Sequence, residues 1–434
     1  MTGPAPYLLA VAAVGALLAA IAGIRKVGTH WRWSAEVQRK CVHVMVGLFA
    51  MALPFLLPGK WPVVVLVLLA LAAMLVLRFS SGFLGGAGAA IHSVERRSFG
   101  DIWLAVAVGF LFLRSEGHYI LFGLPLAIIT LSDAAAALTG STYGRLRFAT
   151  EGGEKSWEGV IAFTMVGWIT AMAMLLLFSD APRGNVIVLG LVIAAFGAMV
   201  EAISWRGLDN LFVPLAIHFF LRGYLDAAPM ELSLVAVTFF ALAATAAGVS
   251  QWLGLTRSTA RAFAVALFIF LGVGGVGGTV FPALAIGAYL LTRGVLPGGR
   301  LHPDLDFLGT LCSAAAIWLF IGEMTGPSSI HFYNVAMAGI ALGYGLLALA
   351  GRQRLWALVL LPSCWAGVRA LALTQWHPAG LPDWYGTLGI ASLFLVACIA
   401  LAMPHLFRRW RAPRLALLAS ALPLAAYFHQ VGAL

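Results

Sequence analysis

The chain has 434 residues, 62% of them hydrophobic and only 10% charged, against roughly 45–50% and about 25% in soluble globular proteins, which excludes a soluble enzyme. Its mean hydropathy of +0.95 comes from many apolar runs of about 20 residues, the length that crosses a hydrocarbon core of about 30 Å, which also excludes a barrel of alternating strands. The formal charge of +10 arises from 27 basic residues strung singly between the runs, so there is no basic domain for nucleic acid, and Cys41, Cys312, Cys364 and Cys398 have neither CxxC nor metal-ligand spacing.

The first apolar run precedes Arg25 and Lys26 and has no basic residue ahead of it, so it reads as a membrane helix rather than a cleaved signal peptide. Further spans are expected at 42–58, 61–78, 100–113, 119–138, 159–179, 186–204, 211–221 and 232–248, then at 262–276, 280–293, 307–322, 335–350, 355–372, 386–403 and 415–430. The prediction is an all-α, polytopic helical membrane protein of about 16 transmembrane helices, with the pair flanking the Gly-rich 272–278 stretch the least regular. Basic residues alternate between the loops. Through residue 261, fourteen lie on the side of Arg25, Arg39, Arg145, Lys155 and Arg206, whereas the other side holds only Lys60, Arg114, Arg183 and Arg222. By the positive-inside rule the first side is cytoplasmic, and the expected location is a bacterial inner (plasma) membrane with the site facing the cytoplasm.

Acidic residues are as uneven. Eleven of the 17 precede residue 211, and nine of those sit in cytoplasmic loops or at cytoplasmic span ends. The chain is therefore expected to divide into a membrane-embedded catalytic domain, 1–250, and a plainer accessory or diverged membrane domain, 251–434.

The densest chemistry lies in Ser132–Gly159, where Asp133 closes an apolar helix, Gly140 and Gly144 punctuate a stretch of small residues after it, and Arg145, Arg147 and a Lys155-Ser156-Trp157-Glu158-Gly159 box lead into the next span. Glycines admit phosphates to the backbone, cations offset phosphate charge and carboxylates hold Mg²⁺, so one loop can build a nucleoside triphosphate site. A positive-inside loop with turn glycines is the simpler alternative. Upstream, Glu36, Arg39, Lys40 and His43 lie three and four apart and share one polar helix face. Two further groups, Glu95–Asp101 and Glu201–Asn210, each adjoin a span on the same side, and four such groups on one membrane face argue for one composite site.

Together the D-x-x-A-x-x-x-G-x-x-x-G and K-S-x-E-G patterns, the upstream E-x-x-R-K-x-x-H and E-R-x-S-x-G blocks and the downstream E-A-x-S-x-x-G-L-D-N-L-x-x-P resemble the polyprenol kinase family, which includes phytol, farnesol and dolichol kinases. The resemblance covers about residues 30–220. CDP-diacylglycerol synthases carry a similar nucleotide loop but close with a D-R-x-D carboxylate pair, where this chain reads Gly207-Leu208-Asp209-Asn210. The resemblance implies a lipid kinase using CTP or another nucleoside triphosphate, with a membrane lipid alcohol as acceptor. By motif position and the needs of phosphoryl transfer, Asp133, Glu158 and Asp209 are expected to hold Mg²⁺. Arg39, Lys40, Arg145 and Lys155 are expected on phosphates, with Gly140 and Gly144 at close backbone approach and Ser156 and Asn210 also in the nucleotide site. Asp209 or Asp101 is the candidate base for the alcohol proton, and His43 orients a phosphate or a carboxylate.

The second half opens with a stretch from Gln251 that loosely resembles the phytyl-phosphate kinase family, but it lacks the Ala-Asp-Thr and Gly-Thr-x-Gly-Gly motifs expected there. A lipid cytidylyltransferase or a transporter are the other classes that the sequence leaves open. Composition does not fix which lipid or nucleotide is used, nor the oligomeric state.

Overall fold

The computed structural model describes residues 4–57, 59–79, 99–150, 153–203, 207–296, 303–325, 329–349, 357–374 and 384–432. They are almost wholly helical, and nine of the described helices are long and apolar enough to cross a membrane, which makes the chain an all-α polytopic membrane protein. It forms two compact units, Met1–Ala241 and Leu242–Leu434. Of the sequence groups, 95–98 and 204–206 lie outside the described residues.

In the first unit, α1 (Ala5–His30), α2 (Ala35–Leu56), α3 (Lys60–Phe79) and α4 (Gly100–Arg114) precede a central rod. That rod comprises α5 (Tyr119–Ala127), a π-helical turn (Ile128–Ser132) and α6 (Asp133–Tyr143). After it come α7 (Trp157–Phe178), α8 (Arg183–Ile203), α9 (Asp209–Tyr224) and α10 (Pro229–Val249). The rod runs antiparallel to α2: the Tyr119 hydroxyl donates to the Met51 carbonyl at 3.3 Å, and at the other end Asp133 meets Lys40. α5 is apolar on every side and is buried along most of its length, as a helix without a polar face must be.

Pro125 inside α5 has no N–H for the Leu121 carbonyl four residues back, and in a bilayer that oxygen needs another donor. His218 of α9 supplies it, its Nδ1–H donating to Leu121 O at 2.8 Å, so a sequence-imposed defect in the rod becomes a tie between α5 and α9. The π turn comes directly after α5, a feature often found at functional sites. It packs on α2 so closely that a Cβ at Gly47 would stand 2.0 Å from Thr130 Oγ1.

Between α6 and α7, where the sequence suggested a loop, β1 (Arg147–Thr150) and β2 (Gly153–Ser156) pair antiparallel, with Phe148 opposite Lys155. The hairpin fixes which side chains face the bundle, since neighbours along a strand alternate in direction.

The second unit is built around α13 (Ile330–Leu349), which is buried along nearly its whole length. Around it lie α11 (Arg257–Thr292), α12 (Pro303–Thr325), α14 (Ala357–Thr374), α15 (Trp384–Ala402) and α16 (Arg411–Val431). α11 is folded back on itself at Gly275, whose φ of 59° and ψ of −165° are open to glycine alone. The rings of Phe263 and Tyr289, far apart in sequence, consequently lie 6.3 Å apart, and Arg293 reaches the Gly254 carbonyl at 2.9 Å. The two segments expected at 262–276 and 280–293 are thus the arms of one helical hairpin.

Candidate functional site

The site lies at one end of the first unit, where α2, α4, α7 and α9 begin and α6 and α8 end. Its centre is an ion pair: Lys40 Nζ donates to Asp133 Oδ2 at 2.6 Å, with both side chains almost wholly buried. His43, one turn below Lys40 on the same face, places Nε2 3.1 Å from the Ile129 carbonyl of the π turn and 3.5 Å from Asp133 Oδ2. His43 is thus tied to the π turn, with the Asp133 carboxylate beside it. Ser34 caps the start of α2 through the Val37 amide at 3.3 Å, and a capped start is what holds this face in register.

Across the site, Lys155 at the end of β2 donates to the Glu201 carboxylate and to the Glu201 main-chain carbonyl at 3.1 Å. A lysine on the last carbonyls of a helix satisfies acceptors that have no partner within it, so the hairpin is strapped to the end of α8. Burial alone would lower the Lys155 pKa, but Glu201 and then Asp209 outweigh it and hold the ammonium above its usual 10.5. Glu201 stood in a sequence motif without an assigned role. Only its position at the end of an apolar span marked it, and its partner lies 46 residues away.

Asp209, the first residue of α9, interacts electrostatically with Arg39, His43, Lys155 and Glu201, which joins the two ion pairs into one polar centre. Its Oδ1 is buried and has no hydrogen-bond partner among the described residues. Arg39 forms an exposed fork with Glu36 at 2.6 and 3.1 Å. Among the described residues of this centre, Glu36 pairs with Arg39, Asp133 with Lys40 and Glu201 with Lys155, and Asp209 is in none of these pairs.

A second knot adjoins this centre. Ser156 caps α7 by accepting from the Gly159 amide at 3.1 Å. A Cβ at Gly140 would lie 3.0 Å from the Ser156 hydroxyl oxygen, and one at Gly144 would lie 2.8 Å from it and 2.3 Å from the Gly140 carbonyl. The room that the two glycines leave is thus filled by protein, and it serves the close packing of α6 on the start of α7. Glu158 Oε1 accepts from the Arg145 and Leu146 amides at 3.0 and 3.1 Å, which holds the turn into β1, while its Oε2 is buried without a hydrogen-bond partner.

The third group joins α4 to α9. Asn210 Nδ2 donates to the Gly100 carbonyl at 2.9 Å, and Phe110 packs edge-on against His218 and Phe219, so the two helices run parallel from the site end. Asp101 is exposed in the first turn of α4. The expected Mg²⁺ trio is not assembled as a cluster: among the described residues no three His, Cys, Asp or Glu side chains converge as metal ligands. Asp133 is committed to Lys40, whereas Asp209 and Glu158 each keep one buried oxygen without a hydrogen-bond partner. Each is an oxygen donor of the kind a hard cation such as Mg²⁺ takes, and the two belong to different knots of the site.

Comparison with known proteins gives a phytol kinase from Synechocystis sp., 29% identical over 187 residues, which are 42% of this chain and 76% of that protein. That part of the chain is phytol/polyprenol-kinase-like, in line with the motif resemblance. No family model matches the chain, and no solved structure matches it.

Proposed function

We propose that the chain is an integral-membrane kinase that transfers the γ-phosphoryl group of CTP, or of another nucleoside triphosphate, to the hydroxyl of an isoprenoid alcohol such as phytol, geranylgeraniol or a polyprenol. The observation that carries this reading is the polar centre itself, in which five separate segments bring Arg39, Lys40, Asp133, Lys155, Glu201 and Asp209 together in a phytol-kinase-like chain. Phosphoryl transfer asks a protein for positioning and charge neutralisation more than for covalent chemistry, and this centre offers both. The alcohol enters sideways from the bilayer and the nucleotide from the cytoplasm.

Energetics decide which cations meet phosphate. The exposed Arg39–Glu36 pair is worth about 0.2–1 kcal/mol and exchanges readily, as does the exposed Arg145 side chain. Separating the buried Lys40–Asp133 pair would cost about 3–5 kcal/mol, so Lys40 and Asp133 act as a fixed support for the site. Lys155, half-buried on Glu201, sits between these extremes. Asp209 and Glu158 would hold Mg²⁺, which when bound offsets the charge of the nucleotide's phosphates. In the transfer the alcohol oxygen bonds to the γ-phosphorus, its proton passes to the Asp101 carboxylate, the bond from the γ-phosphorus to the bridging oxygen breaks, and the nucleoside diphosphate leaves.

The test is transfer from CTP labelled separately at the α and γ positions, with purified full-length protein and a panel of isoprenoid alcohols. Label reaching the lipid from the γ position supports the kinase. Label arriving from the α position, with pyrophosphate released, would establish a cytidylyltransferase instead.

A further inference from the structure

Asn210 is a buried polar residue whose two ends have different fates. A carbonyl can only accept, so the contact with Gly100 fixes Nδ2 on the α4 side and turns Oδ1 the other way. There Oδ1 is buried and has no hydrogen-bond partner among the described residues, although the residue is only 9% exposed. An acceptor left unmade in such a place costs free energy, and α9 compounds it: Pro214, four residues on, has no N–H to return to the Asn210 carbonyl.

The two neighbouring acceptors are not equivalent. Asp209 is turned into the charged centre, where it interacts with Arg39, His43, Lys155 and Glu201. Asn210 is the next residue, rotated about 100° around the helix and tied to the start of α4. α9 leads from the polar centre into the apolar interior, with Leu211, Val213 and Leu215 all buried. A neutral acceptor at that boundary fits a neutral donor attached to an apolar chain, whereas a carboxylate would fit a cation. Asp101, the residue after the tethered Gly100, lies in the same first turn of α4.

We propose that Asn210 is a lipid-binding residue, its Oδ1 accepting the hydrogen bond of the lipid alcohol's hydroxyl. The assignment rests on the kinase reading above and deepens it by naming the group that tells an alcohol from a plain hydrocarbon. Asn210 sets substrate affinity; it moves no proton.

The experiment is a binding cycle without nucleotide, so that it stands apart from the labelled-CTP test of the kinase reading. Full-length protein in detergent is loaded with tritiated geranylgeraniol, which is displaced by unlabelled alcohol or by the matching hydrocarbon that lacks the hydroxyl. Wild type is expected to favour the alcohol by about five- to tenfold, the worth of one neutral hydrogen bond, and Asn210→Ala to lose that preference while hydrocarbon affinity stays within about twofold. Because both ligands meet the same protein, a general loosening from the broken Gly100 contact cancels in the cycle. Should Asn210→Ala fail to fold, Asn210→Ser is the second variant, expected to lose the same preference because its shorter side chain cannot place an acceptor at the Oδ1 position. No preference in wild type, or a preference that survives substitution, overturns the proposal. A variant that keeps the preference but needs more Mg²⁺ for nucleotide binding would make Asn210 a metal ligand and overturn it as well.

Discussion

Each unit of the molecule has a helix sunk in its centre, and the two differ in what they bury. The central rod of the first unit carries Thr130, Ser132 and Asp133, all at 5% exposure or less, through a π turn and an ion pair. α13 of the second unit carries His331 and Asn334 but no acid, and around it aromatic rings close the core: Trp318, Phe332 and Tyr427 at one end, Tyr289, Phe307 and Tyr344 at the other. Rings pack favourably in themselves. A carboxylate inside a membrane bundle is costly unless paired, and this contrast points to the first unit as the place of the candidate site.

Breaking the first centre should have the largest effect. Asp133→Leu leaves Lys40 buried without its counter-ion and is expected to cost about 3–5 kcal/mol along with all kinase activity, read by thermal unfolding in detergent and by label transfer. Adding Lys40→Met should restore most of the stability and none of the activity, because the charges and not the packing volume are what the site needs. Asp209→Asn comes next. Its Oδ1 has no partner to lose, so activity should fall at least about a hundredfold, on the scale of a lost charge-stabilising group, while unfolding shifts by less than about 1 kcal/mol. A drop in stability as large as that of Asp133→Leu would place Asp209 in the scaffold instead.

The same contrast sharpens in the second unit. Tyr289 donates to Asp304 at 2.5 Å, and Tyr289→Phe should cost about 1.5–3 kcal/mol of stability, as a hydrogen bond to a charged group does, with activity unchanged. Loss of nucleotide binding in that variant would show that the second unit shapes the site. The smallest effect belongs to Glu116→Gln at the opposite end of the first unit. Its side chain is more than half exposed and 3.7 Å from Arg114, so both stability and activity should stay within about 0.5 kcal/mol of wild type.

Most helices were legible because an apolar run of spanning length has few alternatives in lipid, and the polar face of Glu36, Arg39, Lys40 and His43 was legible because helical spacing puts those residues together. Pairing was not. Nothing local says that Lys155 would engage Glu201 rather than a phosphate, or that Glu158 would spend one oxygen on two backbone amides. Those are long-range choices that tertiary packing makes. Gly140 and Gly144 do mark close approach, and Ser156 at the start of α7 is one group that packs there. The hairpin was missed because four-residue strands between charged turns have too short a pattern to separate from a loop.

The Lys40–Asp133 pair spans 93 residues of chain, and the tie from His218 to Leu121 spans 97. At synthesis rates of about 5–20 residues per second, each early member waits roughly 5–20 s for its partner. During that interval α2 presents an unpaired ammonium, and α5 an unsatisfied carbonyl, to whatever receives the nascent chain. The polar centre and the α5–α9 tie are therefore completed only once α6 and then α9 have left the ribosome, so these contacts are made late in the synthesis of the first unit.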